Sequence, residues 1–330
     1  MHVYRLHGCT VASDLQFHLP LTAGALPPEL TLRRSPHLPD VDWEPEPDEL
    51  LTRVWDETRR VRYVAGRTQQ GYRLRFVDLC DFDLSSDLSQ ATWTTAPGRD
   101  PGLAAVLAVG ALMAFRLIMS GHLVLHASAV RARGRGLAFV GASGMGKSTM
   151  ATLMCADGAS LLTDDVARVT FDGDDALVAP GGTESRLRPA AVPLTELLGS
   201  SNATRATSDG RTAVSLPHWT DGSVPLDAVV IPMPSHQQNQ LGLTALSPAQ
   251  ALILLGQYPR ISGWVDAQIL DRQFNLLADL VERVPAYLAV VPWGPPFTVE
   301  TGRQLLDALG WAPTSAHVSP DHNSKIANWG

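Results

Sequence analysis

Residues 141–148 read Gly-Ala-Ser-Gly-Met-Gly-Lys-Ser, followed by Thr149. The spacing is that of a complete G-x-x-x-x-G-K-[ST] phosphate-binding loop, whose chemistry is the capture of a nucleoside triphosphate. Gly141, Gly144 and Gly146 let the backbone turn tightly enough for successive N–H groups to converge on phosphate oxygens. Lys147 can reach the β- and γ-phosphates, and the Ser148 hydroxyl can ligate Mg²⁺. The cradle therefore comprises Gly141, Ala142, Ser143, Gly144, Met145, Gly146, Lys147, Ser148 and Thr149. The positive end of the helix that follows adds to the attraction.

Phosphoryl transfer also asks for a metal and a group to receive the acceptor's proton. Asp164 and Asp165 stand 16 and 17 residues after Ser148, at the end of a short apolar run. Neighbours in an extended segment point to opposite sides, so one carboxylate can face Mg²⁺ and the other the acceptor. His126 and Ser128 lie one hairpin upstream of the loop. His126 reads equally as a site residue and as a core histidine. Glu184, Arg186 and Arg188 follow a Pro-Gly-Gly turn. They offer a second metal carboxylate and phosphate-clamping guanidiniums, or a charged surface cluster.

These residues need a frame. An apolar run, Gly136 to Val140, predicts the strand into the loop, and Lys147 to Ala156 predicts the helix out of it. Residues 159–163 predict the strand that delivers the aspartates. Asp100-Pro101 caps and starts a buried helix over 101–119, and a strand over 123–130 follows. The strand pair joined by the basic turn at 131–135 implies a mixed sheet. Farther on, 226–231 and 287–291 read as strands, Ser247-Pro248 starts a helix, and 300–309 reads as another helix. Ile269, Leu270, Phe274, Leu277, Leu280 and Val281 form a helical stripe within 267–283 that should face the core. Residues 199–215, with Arg205 and Arg211, read as a mobile polar loop whose arginines can reach the phosphate.

Residues 1–99 are β-rich, with Tyr72 to Phe76 alternating apolar and polar and a Pro-rich acidic loop over 35–49. The expected organisation is an accessory, partner-holding domain over 1–99, an α/β nucleotide-binding domain over 100–314, and a flexible polar tail over 315–330. The 330 residues are 45% hydrophobic and 18% charged, as in a soluble globular protein. A net charge of −7 gives no global reason to bind nucleic acid or an anionic membrane. Three widely spaced cysteines, Cys9, Cys80 and Cys155, fit a reducing compartment without a disulfide framework. Gly102 to Met119 is apolar, but its uncharged run stops after 14 residues, short of the roughly 20 that span a bilayer. With no export signal at the N-terminus, the expected location is cytoplasmic.

Leu125-His-Ala-Ser-Ala-Val130, the short turn, the loop through Thr149 and Thr163-Asp-Asp-Val166 together resemble the HPr kinase/phosphorylase superfamily. The resemblance is nearer to the HPr-kinase-related proteins of peptide-modification systems, including lasso-peptide precursor kinases. It is strong over about 125–170 and weaker to about 310, and Tyr4-Arg-Leu-His-Gly8 with Ser13-Asp14 is similar to the opening of these relatives. The resemblance implies a fold akin to phosphoenolpyruvate carboxykinase and a Mg·ATP-dependent kinase acting on serine. It makes Asp164 the carboxylate that receives the hydroxyl proton, Asp165 its partner at the metal, and His126 a neighbour of the reacting phosphate. Mg²⁺ would then lie among Ser148, Asp165 and Glu184, with Arg186, Arg188, Arg205 and Arg211 on phosphate or substrate. The carrier-protein motif and the glycine-rich phosphorylase signature of the bifunctional enzymes are missing, so neither HPr as substrate nor phosphorolysis is expected.

The expected activity is phosphorylation of a serine on a peptide or protein, above all a ribosomally made precursor peptide. The rivals are a kinase of a small hydroxyl metabolite, such as free serine, and a non-catalytic ATP-gated peptide-binding module. Carboxykinase-like relatives imply a homo-oligomer, and the apolar C-terminal helices suit either an interface or the core.

Overall fold

Two sheets carry the chain. The computed structural model describes residues 1–22, 27–37, 42–198, 203–294 and 298–312, so the expected tail at 315–330 lies outside the described residues. The first sheet uses β1 (His2–Leu6), β2 (Cys9–Ser13), β3 (Leu30–Arg34), β4 (Leu50–Trp55), β5 (Val61–Thr68), β6 (Gly71–Phe76), β7 (Cys80–Ser85) and β8 (Gln90–Thr95). Its order is β1-β2-β3-β8-β7-β6-β5-β4, with β2, β3 and β8 parallel. The alternation read in Tyr72 to Phe76 breaks at Arg75. That side chain is buried beside Leu74, because Asp81 accepts from its Nε at 3.0 Å and from its Nη2 at 2.7 Å.

The helix expected over 101–119 is built in three pieces: α1 (Pro101–Leu107), a π-helical turn at Ala108–Leu112, and α2 (Met113–Met119). Asp100 caps it through the N–H of Gly102 at 2.8 Å. It is the one helix among the described residues long and apolar enough to cross a membrane, and 67% of its apolar window is buried within the protein. Ala114, Phe115 and Leu117 pack into the core of the first sheet.

The second sheet begins with β9 (Leu123–Leu125), β10 (Ala127–Ala132) and β11 (Arg135–Val140). Then come α3 (Lys147–Ala156), β12 (Ser160–Thr163), β13 (Ala167–Asp172) and β14 (Asp175–Val178). A small sheet of β15 (Glu184–Leu187), β16 (Thr204–Ala206) and β17 (Thr212–Ser215) follows. The chain ends with β18 (Val224–Ser235), β19 (Gly242–Ala245), α4 (Pro248–Gly256), α5 (Ala267–Arg283), β20 (Ala286–Pro292) and α6 (Glu300–Ala308). The order is β12-β10-β11-β18-β14-β13-β9, with β20 beside β18 and β19. Because β11, β18 and β20 run parallel while the remaining ladders are antiparallel, the sheet is mixed.

Two expectations change. Residues 203–215 are a paired hairpin, not a free loop, because Thr204 to Ala206 bonds to Thr212 to Ser215, which bonds in turn to β15; residues 199–202 of the expected loop lie outside the described residues. The stripe on α5 also divides. Ile269, Leu277, Leu280 and Val281 are buried, whereas Leu270 and Phe274 are exposed, since only one face of the helix meets the sheet.

Arg116 ties the long helix to the first sheet. It is buried, and its guanidinium donates to Leu88 O at 2.9 Å, Glu29 O at 3.0 Å and Cys9 Sγ at 3.5 Å. Arg116→Leu should therefore leave two carbonyls unpaired and lower the unfolding free energy by about 2–4 kcal/mol. A urea titration that finds no loss of stability would show that these bonds do not matter.

Candidate functional site

The loop between β11 and α3 turns on two left-handed glycines, Gly144 at φ +94° and Gly146 at φ +88°. A Cβ at Gly146 would also lie 2.6 Å from the Trp293 ring. Gly141 has no left-handed angle; a Cβ there would press on Met145 Sδ at 3.0 Å. No side chain caps α3, so its first N–H groups face the loop without a side-chain acceptor. Lys147 is buried and donates to Gly141 O at 2.8 Å and Ala142 O at 3.0 Å. Burial pushes its ammonium down to about 8. A cavity of about 630 Å³ opens here, with Gly144, Lys147, Ser148, Arg188, Arg211 and Trp293 among its walls.

The sheet breaks beside this cavity, and the break makes the site. β10 pairs with β11 and β12, whereas β9 turns to β13; His126 is the single residue between β9 and β10. The strands that face β10 and β9 break at the same level. β12 ends at Thr163, β13 starts at Ala167, and the aspartates occupy the gap. Thr163 Oγ1 closes the gap by donating to Val166 O at 2.6 Å. Asp165 takes φ +75°, in the left-handed region. The two side chains diverge as the sequence led us to expect, but through this turn and not through extended pleating.

Their partners differ in kind. Asp164 accepts hydroxyls and amides. Ser148 Oγ donates to its Oδ1 at 2.9 Å, and Ser185 Oγ and the Arg186 N–H donate to its Oδ2 at 3.1 Å each. Ser128 Oγ also donates to its Oδ1. Asp165 faces two guanidiniums and an imidazole instead. Arg260 Nη2 lies 2.7 Å and Arg186 Nη2 3.0 Å from its Oδ2, while His126 Nε2 is 3.5 Å from its Oδ1. Burial alone would raise the Asp165 carboxyl; Arg260, the His126 contact and Arg186 override it and hold the group well below the usual carboxylate range. Burial keeps His126 below its ordinary value, Asp165 works against that, and Lys147 reinforces it.

Of the expected metal residues, Ser148 meets one aspartate directly. Asp164, not Asp165, touches Ser148. Glu184 pairs with Arg205 at 2.6 Å, and both line a narrower cavity that also borders Asp164 and Asp165. Among the described residues no three His, Cys, Asp or Glu side chains converge as a metal cluster. Mg²⁺ needs only one or two protein oxygens beside phosphates and water, so Ser148 and Asp164 fit it, and the glycine loop with Lys147 fits a triphosphate. Arg188 donates to Ser143 Oγ at 2.9 Å on the cavity wall, and Arg211 lies 3.7 Å from Asp209.

The sequence reading missed Arg260, Asp209, Ser185 and Trp293. Arg260 arrives because Pro259 bridges to Leu125 of β9, which brings the loop after α4 beside His126. Asp209 accepts from Arg186 at 3.2 Å. No periodicity marks either residue. Trp293 could have been flagged as the residue that ends the last parallel strand.

The His126–Asp165 contact has a pH signature. His126 should titrate below 6.5 and be neutral at pH 7, and Asp165→Asn should lower its titration further, because it removes the group that favours imidazolium. Imidazole NMR shifts followed against pH check this; a rise in the variant would mean the contact is not formed.

No protein family matches the chain, and no curated protein matches it. Among solved structures, the chain is similar to the HPr(Ser) kinase/phosphatase from Coxiella burnetii at 8% identity. The match covers 56% of this chain and 95% of that one, with a TM-score of 0.29. At that level no residue role is carried across, and the functional reading rests on the geometry of the site.

Proposed function

We propose that the protein is a Mg·ATP-dependent kinase that phosphorylates a serine hydroxyl on a peptide. The observation that carries the reading is the wall of one cavity. There Ser148 and Asp164 stand 2.9 Å apart at the mouth of the glycine loop, next to Asp165 with its arginines and histidine. When bound, ATP would supply the phosphoryl group and Mg²⁺ would neutralise negative charge on it.

The chain's own residues do the rest. Lys147 and the loop amides bind phosphate, and Ser148 with Asp164 would hold the metal. Arg186 and Arg260 place positive charge where negative charge develops. Asp165, fixed between those arginines and His126, orients the acceptor hydroxyl and receives its proton. Its depressed pKa suits positioning more than early deprotonation, which a loose phosphoryl-transfer transition state accommodates. The two aspartates thus exchange the roles that the resemblance implied.

A narrow cavity of about 100 Å³ meets the larger one at Asp164, Asp165 and Arg186. Phe17, Leu19, Gly102 and Gly110 help to line it. Its size supports a small side chain such as serine as the acceptor. A ribosomally made precursor peptide, as in lasso-peptide systems, is the acceptor we favour.

Incubation with ATP, Mg²⁺ and the precursor peptide encoded beside the protein should add the mass of one phosphate. Asp165→Asn should cut transfer by about 10²-fold or more with nucleotide affinity preserved. Asp164→Asn should instead raise the Mg²⁺ requirement. The reverse pattern would return the proton-accepting role to Asp164. Phosphorylation of free serine but not peptide would move the acceptor to small metabolites, and ATP-dependent peptide binding without product would leave a binding module.

A further inference from the structure

We infer that the purine base of the nucleotide sits in a separate cavity of about 250 Å³ beyond Trp293; this rests on the phosphate-cradle reading of residues 141–149. Three observations carry it. The first is continuity. Trp293 lines both cavities, and its ring lies against Gly146 at the mouth of the cradle. Met150 and Leu153, one and two turns farther along α3, floor the second cavity. At 1.5 Å per residue they stand about 6 and 10 Å along the helix from Gly146, a span that a ribose and an α-phosphate can bridge.

The second observation is topological. β11, β18 and β20 are parallel neighbours, so their carboxyl ends open on one edge, where α/β sheets bind ligands. The loop leaves β11 there, His236 follows β18, and Trp293 follows β20. The Trp293 N–H donates to Ser235 O at 3.0 Å, which locks the last two ends together.

The third is chemical. No Lys or Arg is among the described residues that line this cavity, and Glu300 brings a carboxylate and His236 an imidazole to it, so it is not a second phosphate site. Gln238, Asn239 and Gln304 bring amides to its rim. Each amide presents both a donor and an acceptor, the pattern that a purine edge requires. The Trp293 ring supplies an aromatic wall for stacking. A neutral, flat heterocycle with a polar edge satisfies all three features.

The test compares Mg·ATP with magnesium tripolyphosphate, which has the phosphates and no base, by calorimetric titration of the full chain. The wild type should bind ATP about tenfold or more tightly than tripolyphosphate. Thr301→Trp and Gln304→Trp, on the cavity side of α6, should erase that advantage and leave tripolyphosphate affinity unchanged, with far-UV circular dichroism confirming the fold. Equal affinity of the wild type for the two ligands, or an ATP advantage surviving in both folded variants, overturns the base site. Failure of the wild type to bind tripolyphosphate instead overturns the phosphate-cradle reading, and this inference with it.

Discussion

Asp165 carries a charge that burial disfavours, and three separate elements are committed to compensating it. Arg186 comes from β15, Arg260 from the loop after α4, and His126 from the break between β9 and β10. Removing one partner of such a set leaves an uncompensated charge, which is strongly destabilising. The cluster therefore fixes where these elements lie. It also explains Gly110 in the π-helical turn, where a Cβ would come within 2.9 Å of Arg260 Nη2 and 3.1 Å of Asp165 Oδ2. The helix passes the cluster too closely for any side chain.

The first sheet acts as a buttress for this arrangement. His7, in the turn after β1, is buried; burial pushes it down to about 4, against a contact with the Val109 backbone, so it is a neutral imidazole. Arg168 Nη1 donates to His7 O at 3.1 Å and so joins the β1–β2 turn to β13. On the other side, Thr52 Oγ1 donates to Ser262 O at 2.6 Å, Arg67 pairs with Asp266 at 2.6 Å, and Trp264 stacks on Phe115 at 5.8 Å. These contacts fasten the stretch that carries Arg260. The β-rich region thus bears on the site, and Arg62 of β5 lines the larger cavity.

The cradle itself is held closed by its own lysine. Lys147 satisfies the carbonyls of Gly141 and Ala142, and burial makes its ammonium easier to deprotonate than usual. Phosphate oxygens would offer the same ammonium a full negative charge in place of two carbonyl dipoles, a stronger partner at low dielectric.

Local chemistry wrote much of this in the sequence. The glycine and lysine spacing of 141–148 marks a tight loop, and the strand and helix around it follow from apolar runs that need no distant partner. The caps at Asp100 and Ser247 were legible for the same reason, since each acts within three residues. Spacing placed Asp164 and Asp165 near the loop, but only the family resemblance assigned them separate roles, because those depend on which groups face them. Arg260 meets Asp165 only through the register of Pro259 on Leu125, and Trp293 meets Gly146 only because β20 lies two strands from β11. The hairpin over 203–215 was hidden by its polar composition, which records solvent exposure and not pairing. Spacing along the chain can specify a cradle for phosphate. Which groups each carboxylate faces is decided by the sheet break, where contacts between remote residues replace the local periodicity that a sequence can show.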